Sequence, residues 1–433
     1  MSDRTVEQRQ FGHRARLVLT PAQCVKLDAQ AHAARAMWNQ LHDLWLMTPK
    51  CQRSLARLDQ TLRQARRDVD WYAALPAQAA QAVLKTYLQA WRNCWEGRAQ
   101  PPDFKSRHRA AMSVDIPQGR DLNITRVHRR WGMANIPKLG RVRFRWTRDL
   151  PVGRNADAAN KITGARLVKD DLGWHIAFRV QTLEPVPAPH PGPAVGIDVG
   201  VTLALALSDG DHYRHGPWLT DTEQATLLRW EQRAAHRKSH RKPGERSSRR
   251  LHRTYDRIRG LRARAKRRHQ DWQHQTTTVI AARYGTVVVE QLQITNMVTS
   301  ARGTIEQPGS NVAQKSGLNR AISQQAWGRT VAMLTYKTAR RGGTLHKVPA
   351  PGTSRRCSTC GTTTSGSRES QALFVCKNPD CGWSGNADHN AARNILHLYR
   401  TGHALVPAAG RAVARRARRV KPTGASQAGN SLP

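Results

Sequence analysis

The sequence predicts a multidomain α+β protein, and three observations carry that expectation. Apolar residues recur at a period of about 3.6 between Ala22 and Trp95, the period drops to 2 between Ala111 and Val180, and strands alternate with helices beyond Pro193. With 433 residues, 39% of them hydrophobic, and 13 Trp, the chain can build several cores, so wholesale disorder is excluded. Its 71 Lys+Arg against 30 Asp+Glu leave a formal charge of +41, which has to meet a polyanion. No window approaches the roughly 18 uninterrupted apolar residues of a membrane span, and MSDRTVEQRQFGHR lacks the apolar centre of a signal peptide. Neither membrane nor export is expected, and the cytoplasm is the predicted compartment.

Taken in order, residues 14–20 (RARLVLT) alternate as a strand. Helices follow, in which Met37/Trp38, Leu41 and Leu44/Trp45, then Ala80, Leu84, Tyr87/Leu88, Trp91 and Trp95, recur at helical spacing with arginines opposite. A small bundle with a solvated basic face and a surface that grips nucleic acid are both open readings of this segment. In RVRFRWT, Val142, Phe144 and Trp146 alternate with Arg141, Arg143 and Arg145, and Trp174, Ile176, Phe178 and Val180 do the same after an Asp170–Gly173 turn. That is an antiparallel sheet or barrel whose arginine face either tracks phosphates or is simply solvated. Pro185–Pro193 (PVPAPHPGP) continues neither strand nor helix and reads as a stiff linker.

Beyond the linker, Val195–Val201 is a buried strand, and Leu203, Leu205 and Leu207 form a second before a Ser208-Asp209-Gly210 turn. Arg229 to Arg268 holds 17 Lys or Arg and three acids, arranged as a helix hairpin broken at Pro243-Gly244. The strand Thr286–Val289, a long helix bearing Trp327, Val331, Leu334 and Thr338, the strand Thr344–Val348 and a helix from about Asn386 to Tyr399 complete the pattern. No acid follows Arg400, and that end is expected to be a disordered basic tail.

Three carboxylates and four thiols stand out. Asp198 lies inside the apolar VGIDVG, Glu290 ends TVVVE, and Asp388 opens the last helix in NADHNAARNIL. An ionised carboxylate in an apolar strand is costly unless compensated, so three of them in a +41 chain point to shared divalent cations. Mg²⁺ or Mn²⁺ suits oxygen donors, and a cation pair over such a site hydrolyses phosphodiesters. The plain alternatives are an N-cap role for Asp388 and a strand-end surface charge for Glu290. Cys357-x2-Cys360 and Cys376-x4-Cys381 form two knuckles, with Gly361 and Gly382 directly after the second thiol of each, which is the spacing of a closed, structural zinc site. An iron–sulfur centre is the rival for the same ligands. The histidines, including His389 beside Asp388, are read as surface or phosphate-contacting residues without a catalytic role.

GIDVG, VVVEQL and the cysteine ribbon running into GNADHNAARNI together resemble the split RuvC nuclease domain of the TnpB family, transposon-associated RNA-guided DNA endonucleases related to miniature type V CRISPR effectors. Upstream, WYAALPAQAAQAVLKTYLQAW resembles the family's recognition helices, PKLGRVRFRW its wedge barrel, and GLNRAISQQAWGRTVAMLTYKTARRGG the RuvC helix before the ribbon. The resemblance implies a wedge β-barrel over 1–30 and 106–184, a helical recognition domain over 31–105, and a linker at 185–193. It further implies an RNase H-like (RuvC) α/β domain over 194–350 and 387–400, a zinc ribbon over 351–386 and a basic tail over 401–433. Asp198, Glu290 and Asp388 match the magnesium-binding acids, and Cys357, Cys360, Cys376 and Cys381 the zinc ligands, the x4 spacing being wider than the common x2. The implied partners are a guide RNA and target double-stranded DNA, in a prokaryotic, nucleoid-associated setting, with no membrane; the oligomeric state is left open. Two other readings are a guided DNA binder that silences without cutting, and an RNase H-like transposase that joins ends with the same three acids.

Overall fold

The computed structural model describes residues 6–107, 110–153, 156–242, 244–303 and 307–403. The expected basic tail, from residue 404 onward, and Pro243 of the expected hairpin break lie outside the described residues. These fall into two compact units, one gathering residues 6–20, 118–136 and 140–403, the other the described residues of 21–117 with 137–139. The first strand, β1 (Val6–Val18), starts well before residue 14, where the sequence pattern begins to alternate. Helix begins at Pro21, so residues 21–30, expected with the barrel, are helical.

The smaller unit holds α1 (Pro21–Met47), α2 (Leu55–Asp68), α3 (Ala77–Trp95) and the short β2 (Ser113–Ile116). Ser54 starts α2 by accepting from the Arg57 amide, the role of an N-cap, and Arg66 and Arg67 sit in its last turn, where the helix dipole favours cations. Leu27, Met37, Leu41, Leu58, Leu62, Leu84 and Tyr87 bury the facing stripes. Trp95 breaks the expected pattern: it holds helical spacing with Trp91 yet is 64% exposed.

In the larger unit β1 is joined by β3 (Thr125–His128), β4 (Trp131–Ile136), β5 (Gly140–Arg145), β6 (Lys161–Asp170) and β7 (Gly173–Pro185). They form an antiparallel run in the order β6-β7-β1-β5-β4-β3. The period of two is realised: Val142, Phe144, Trp174, Ile176, Phe178 and Val180 are buried. Arg141, Arg143 and Arg145 face out, the last two with guanidinium carbons 4.5 and 4.4 Å from the Trp131 ring centroid.

After Pro185 the chain crosses to a second sheet without regular structure, His190 tying it down by donating its amide to Gly342 O and its ring Nε2–H to Ala282 O. The sheet contains β8 (Ala194–Val199), β9 (Leu205–Leu207) and β10 (His212–Tyr213). Next come α4 (Asp221–Ser239), α5 (Arg249–Arg283), β11 (Thr286–Glu290), α6 (Ile294–Met297), α7 (Val312–Gln325), α8 (Trp327–Ala339) and β12 (Thr344–Val348). The hairpin of β13 (Leu373–Val375) and β14 (Ser384–Asn386) leads into α9 (Ala387–Arg400). Strand order is β10-β9-β8-β11-β12, with β8, β11 and β12 parallel. Val287 and Val289 point with Val195 and Ile197 toward Ile280 of α5, Tyr284 just after it and Leu334 of α8, whereas Val288 points to Ile395 and Leu396 of α9. Helices therefore cover both faces, as parallel strands require.

The basic hairpin of α4 and α5 packs through Ala234, Leu251 and Ile258. Part of its charge is structural: Arg262 pairs with Glu231, Arg264 and Arg268 with Glu223, Arg259 with Asp171 and Arg267 with Asp170. The long helix expected around Trp327 is two helices, because Ala326 adopts a left-handed φ of 49° between α7 and α8. No helix among the described residues is long and apolar enough to cross a membrane.

Candidate active site

Period-two alternation decides where the acids of the second sheet point. Ile197 and Val289 are register partners and face α5 and α8, so Asp198 and Glu290, the next residues along, both turn to the side covered by α9. There α9 lies directly on β8: a Cβ on Gly196 would sit 2.2 Å from the Ala392 carbonyl oxygen. Asp388, one helical turn before Ala392, is delivered to the same edge. The simple N-cap role for Asp388 does not hold. The cap is Asn386, whose side chain accepts from the amides of Asp388 and His389 at 2.9 and 3.1 Å, leaving the Asp388 carboxylate for other work.

Asp198 senses the other two acids. Asp198 is pushed up to about 7, first by burial and then by the negative charges of Glu290 and Asp388. Burial raises Glu290, opposed by a hydrogen bond from the Thr353 hydroxyl. Burial also raises Asp388, opposed by Arg368, whose Nη2 lies 3.3 Å from Asp388 Oδ1. Buried carboxylates whose proton affinity is raised in this way are chemically suited to hold a hard cation. They are less tightly gathered than the thiols: among the described residues, only the four cysteines have ligand atoms all within 4.8 Å of one another.

Several residues that hold the site in place were not singled out in the sequence. Asn390 and Asn394, fully buried on successive turns of α9, fasten the loop that carries Thr353. Asn390 accepts from the Ser358 amide and donates to Arg356 O, both at 2.8 Å, and Asn394 donates to Thr353 O at 2.8 Å and Arg356 O at 2.7 Å. Their spacing from the Asn386 cap, i+4 and i+8, is a polar stripe on an otherwise apolar helix face and was a readable signal. Thr353 and Arg368 had none. On the other side of Asp198, the loop after β8 is held by the break between α7 and α8: Gln325 donates to Val201 O at 2.9 Å and Trp327 to Gly200 O at 3.3 Å. His389, read as a surface or phosphate-contacting residue, is half-buried and within hydrogen-bond distance of Leu207 O at 3.0 Å.

The cysteines meet as the spacing predicts. Cys357 Sγ lies 3.9 Å from Cys381 Sγ, and Cys360 Sγ 3.6 Å from Cys376 Sγ. Gly361 and Gly382 both have positive φ, 76° and 57°, so each knuckle turns where a side chain would strain the backbone. Phe374 and Ala387 pack on the cluster, a core too small to fold a segment unaided.

Comparison with known proteins adds kinship to this geometry. Residues 176–301 match the OrfB_IS605 family, described as "Probable transposase", and residues 327–395 match the Cas12f1-like TNB domain. An Escherichia coli (strain K12) protein named "Putative RNA-guided DNA endonuclease InsQ" is 31% identical over 340 residues, 78% of each chain. A Streptomyces pristinaespiralis protein named "Putative RNA-guided DNA endonuclease" is 29% identical over 334 residues, spanning 75% of this chain and 71% of that one. In fold the chain resembles the protein in a cryo-EM structure of a Cas12f1-sgRNA-target DNA complex, with a TM-score of 0.50 and 15% identity over 87% of this chain and 83% of that chain. Identity of this extent establishes descent, and the chain belongs to the family of TnpB and its miniature type V CRISPR relatives.

Proposed function

We propose that the chain is an RNA-guided DNA endonuclease that hydrolyses phosphodiester bonds of a guide-matched target at Asp198, Glu290 and Asp388. One observation carries the reading: three acids from β8, β11 and α9 converge electrostatically on one side of the second sheet in a chain whose relatives are named RNA-guided DNA endonucleases. Asp198 and Glu290 sit on adjacent strands and Asp388 on the helix that covers them, the layout of an RNase H-like (RuvC) site. Asp198, Glu290 and Asp388 would hold a pair of Mg²⁺ ions, which would supply water activation and charge neutralisation at the leaving oxygen. The chain's own residues hold and aim the carboxylates: Thr353 orients Glu290, Arg368 holds Asp388, and the close packing at Gly196 sets the distance between α9 and β8.

The finer parts follow in the same reading. The quartet Cys357, Cys360, Cys376 and Cys381 holds a structural zinc and makes 351–386 a ribbon, and soft thiolates filling all four positions leave no open site for chemistry. The antiparallel run acts as the wedge barrel and the helices as the recognition domain, and the guide reads sequence by pairing. The +41 charge neutralises RNA and duplex together, so binding weakens steeply with salt.

The test is a guide-matched plasmid incubated with the purified ribonucleoprotein and Mg²⁺. Linear product is expected, and protection of the target without breaks would identify a silencing binder instead. The family description over 176–301 keeps a transposase in view. Activity from protein that carries no RNA would favour it.

A further inference from the structure

The turn from Ser367 to Leu373, within the cysteine segment, reaches from α9 to the loop after β8. It is closed on itself: the Val375 amide donates to Ser367 O at 2.7 Å, the Glu369 amide to Leu373 O at 3.1 Å, and the Leu373 amide to Ser370 Oγ at 3.0 Å. Arg368 also forms an antiparallel bridge with Phe374, which is fully buried beside the thiols. Two side chains leave this rigid turn for the acid site. Arg368 Nη2 donates to Asp388 Oδ1 at 3.3 Å and to Gln371 O at 3.1 Å. Gln371 Nε2 in turn donates to Thr202 Oγ1 at 3.1 Å, four residues beyond Asp198. One short turn is thus fastened to both chain segments that bracket the carboxylates.

Charge gives the turn its role. Glu369, the acid next to Arg368, is paired with Lys377, so the guanidinium faces the site acids alone. Besides pairing with Asp388 it eases Asp198, which burial and the other two carboxylates strain. Relieving two acids at once is the work of a bound cation. A guanidinium and a divalent cation repel when they crowd onto one carboxylate. Arginine cannot shed its charge by losing a proton, so the conflict is settled only by movement. We infer that Arg368 is the resident counter-cation of the site, and that the 367–373 turn, pinned to Thr202 through Gln371, is a strap that keeps it on Asp388 and gives way when the acids take up a divalent cation. This rests on the reading of Asp198, Glu290 and Asp388 as a cation site.

The experiment measures Mn²⁺ binding to the full-length, zinc-loaded protein free of nucleic acid, by the electron paramagnetic resonance of unbound Mn²⁺, with Asp198→Ala as the baseline for ions held elsewhere. Arg368→Gln is expected to bind Mn²⁺ about tenfold more tightly than wild type, the scale of one hydrogen bond to a charged group. Gln371→Ala and Thr202→Val act at the other end of the strap, and each should tighten binding about threefold. Because both remove the same bond, the double variant should gain no more than either single one. Equal or weaker binding by Arg368→Gln overturns the counter-cation. Single variants at Gln371 and Thr202 that match wild type, or a double variant whose gains add, overturn the strap. If wild type and Arg368→Gln are both indistinguishable from Asp198→Ala, the cation site itself fails and the strap with it. A wild type that exceeds that baseline but is matched by Arg368→Gln defeats the present inference alone.

Discussion

The buried hydroxyl of Thr353 donates to the carboxylate of Glu290, joining residues 63 positions apart. Through Asn394 the same loop is bound to the helix that carries Asp388, so two of the three acids share one brace. Removing the donor should leave Glu290 free to rotate away. We expect Thr353→Val to raise the Mg²⁺ concentration needed for half-maximal cleavage about tenfold, the scale of one hydrogen bond to a charged group. Thr353→Ser should restore it. A magnesium titration that superimposes for wild type and Thr353→Val refutes the brace.

Asp198 bears the charge of the other two acids. Asp198→Ala is expected to cut plasmid cleavage at least about a thousandfold, the loss of several kcal/mol of charge stabilisation, with RNA and DNA affinity nearly intact. Time courses on a guide-matched plasmid measure this, and a variant that cuts at the wild-type rate removes Asp198 from the site.

Gly196 makes the contact between β8 and α9 possible, since a Cβ there meets Ala392 O at 2.2 Å and the Leu396 amide at 2.8 Å, both backbone. Neither neighbour can rotate aside. Gly196→Ala should destabilise the second sheet by about 1–3 kcal/mol, as overpacking does, and lower cleavage by shifting Asp388. Thermal melts read the first effect, and an unshifted melting temperature contradicts the close packing.

Zinc loss should act on the ribbon before it acts on the sheets. Elemental analysis is expected to give about one zinc per chain, and Cys376→Ser or a strong chelator should make the segment between β12 and α9 sensitive to protease. The antiparallel run, which contains none of the four ligands, should stay protected. Iron in place of zinc would reassign the centre.

His175 gives the larger unit an acid limit. Burial, then Arg14 and Arg267, hold its ring down at about 4, Asp170 opposing them. Arg267 Nη2 lies 2.6 Å from His175 Nε2, and because a guanidinium only donates, that nitrogen carries the lone pair while Nδ1 donates to Gly173 O. A ring that titrates lower when folded than when unfolded stabilises the fold above pH about 6.5 and loses that contribution as the pH falls toward 4. Melting temperature should therefore decline between pH 6.5 and 4.5, less steeply in His175→Gln. Equal slopes in that window would dismiss the assignment. His269, also lowered to about 4 by burial, contributes to a remaining slope, as do His13 and His274, lowered by burial as well.

How legible the site was depended on whether a residue conflicted with its local pattern. Asp198 and Glu290 are charges in apolar strands, and the cysteines repeat at ligand spacing, so both groups were readable without a structure. Asp388 was readable as a site residue but not as distinct from a cap, because either of two nearby polar residues can cap a helix, and Asn386 took that role. Thr353 conflicts with nothing: it is a hydroxyl in a loop, and its partner is set by tertiary packing. The bend at Ala326 was hidden for a related reason, since alanine is the best of helix formers, yet the bonds from Gln325 and Trp327 to the loop after Asp198 require the chain to turn there. Trp95 kept helical rhythm past the end of the core, and rhythm does not report where a core stops.

Strand adjacency sets the spacing of Asp198 and Glu290, while most of the residues between them leave as the α4–α5 hairpin, of which α5 covers the face away from α9. Bulk and reactivity are thus governed by separate stretches of chain. Lengthening the hairpin at its tip near Gly244 would enlarge the protein without touching the pairing of Ile197 with Val289, so size in this architecture can drift while the distance between its two strand-borne acids stays constant.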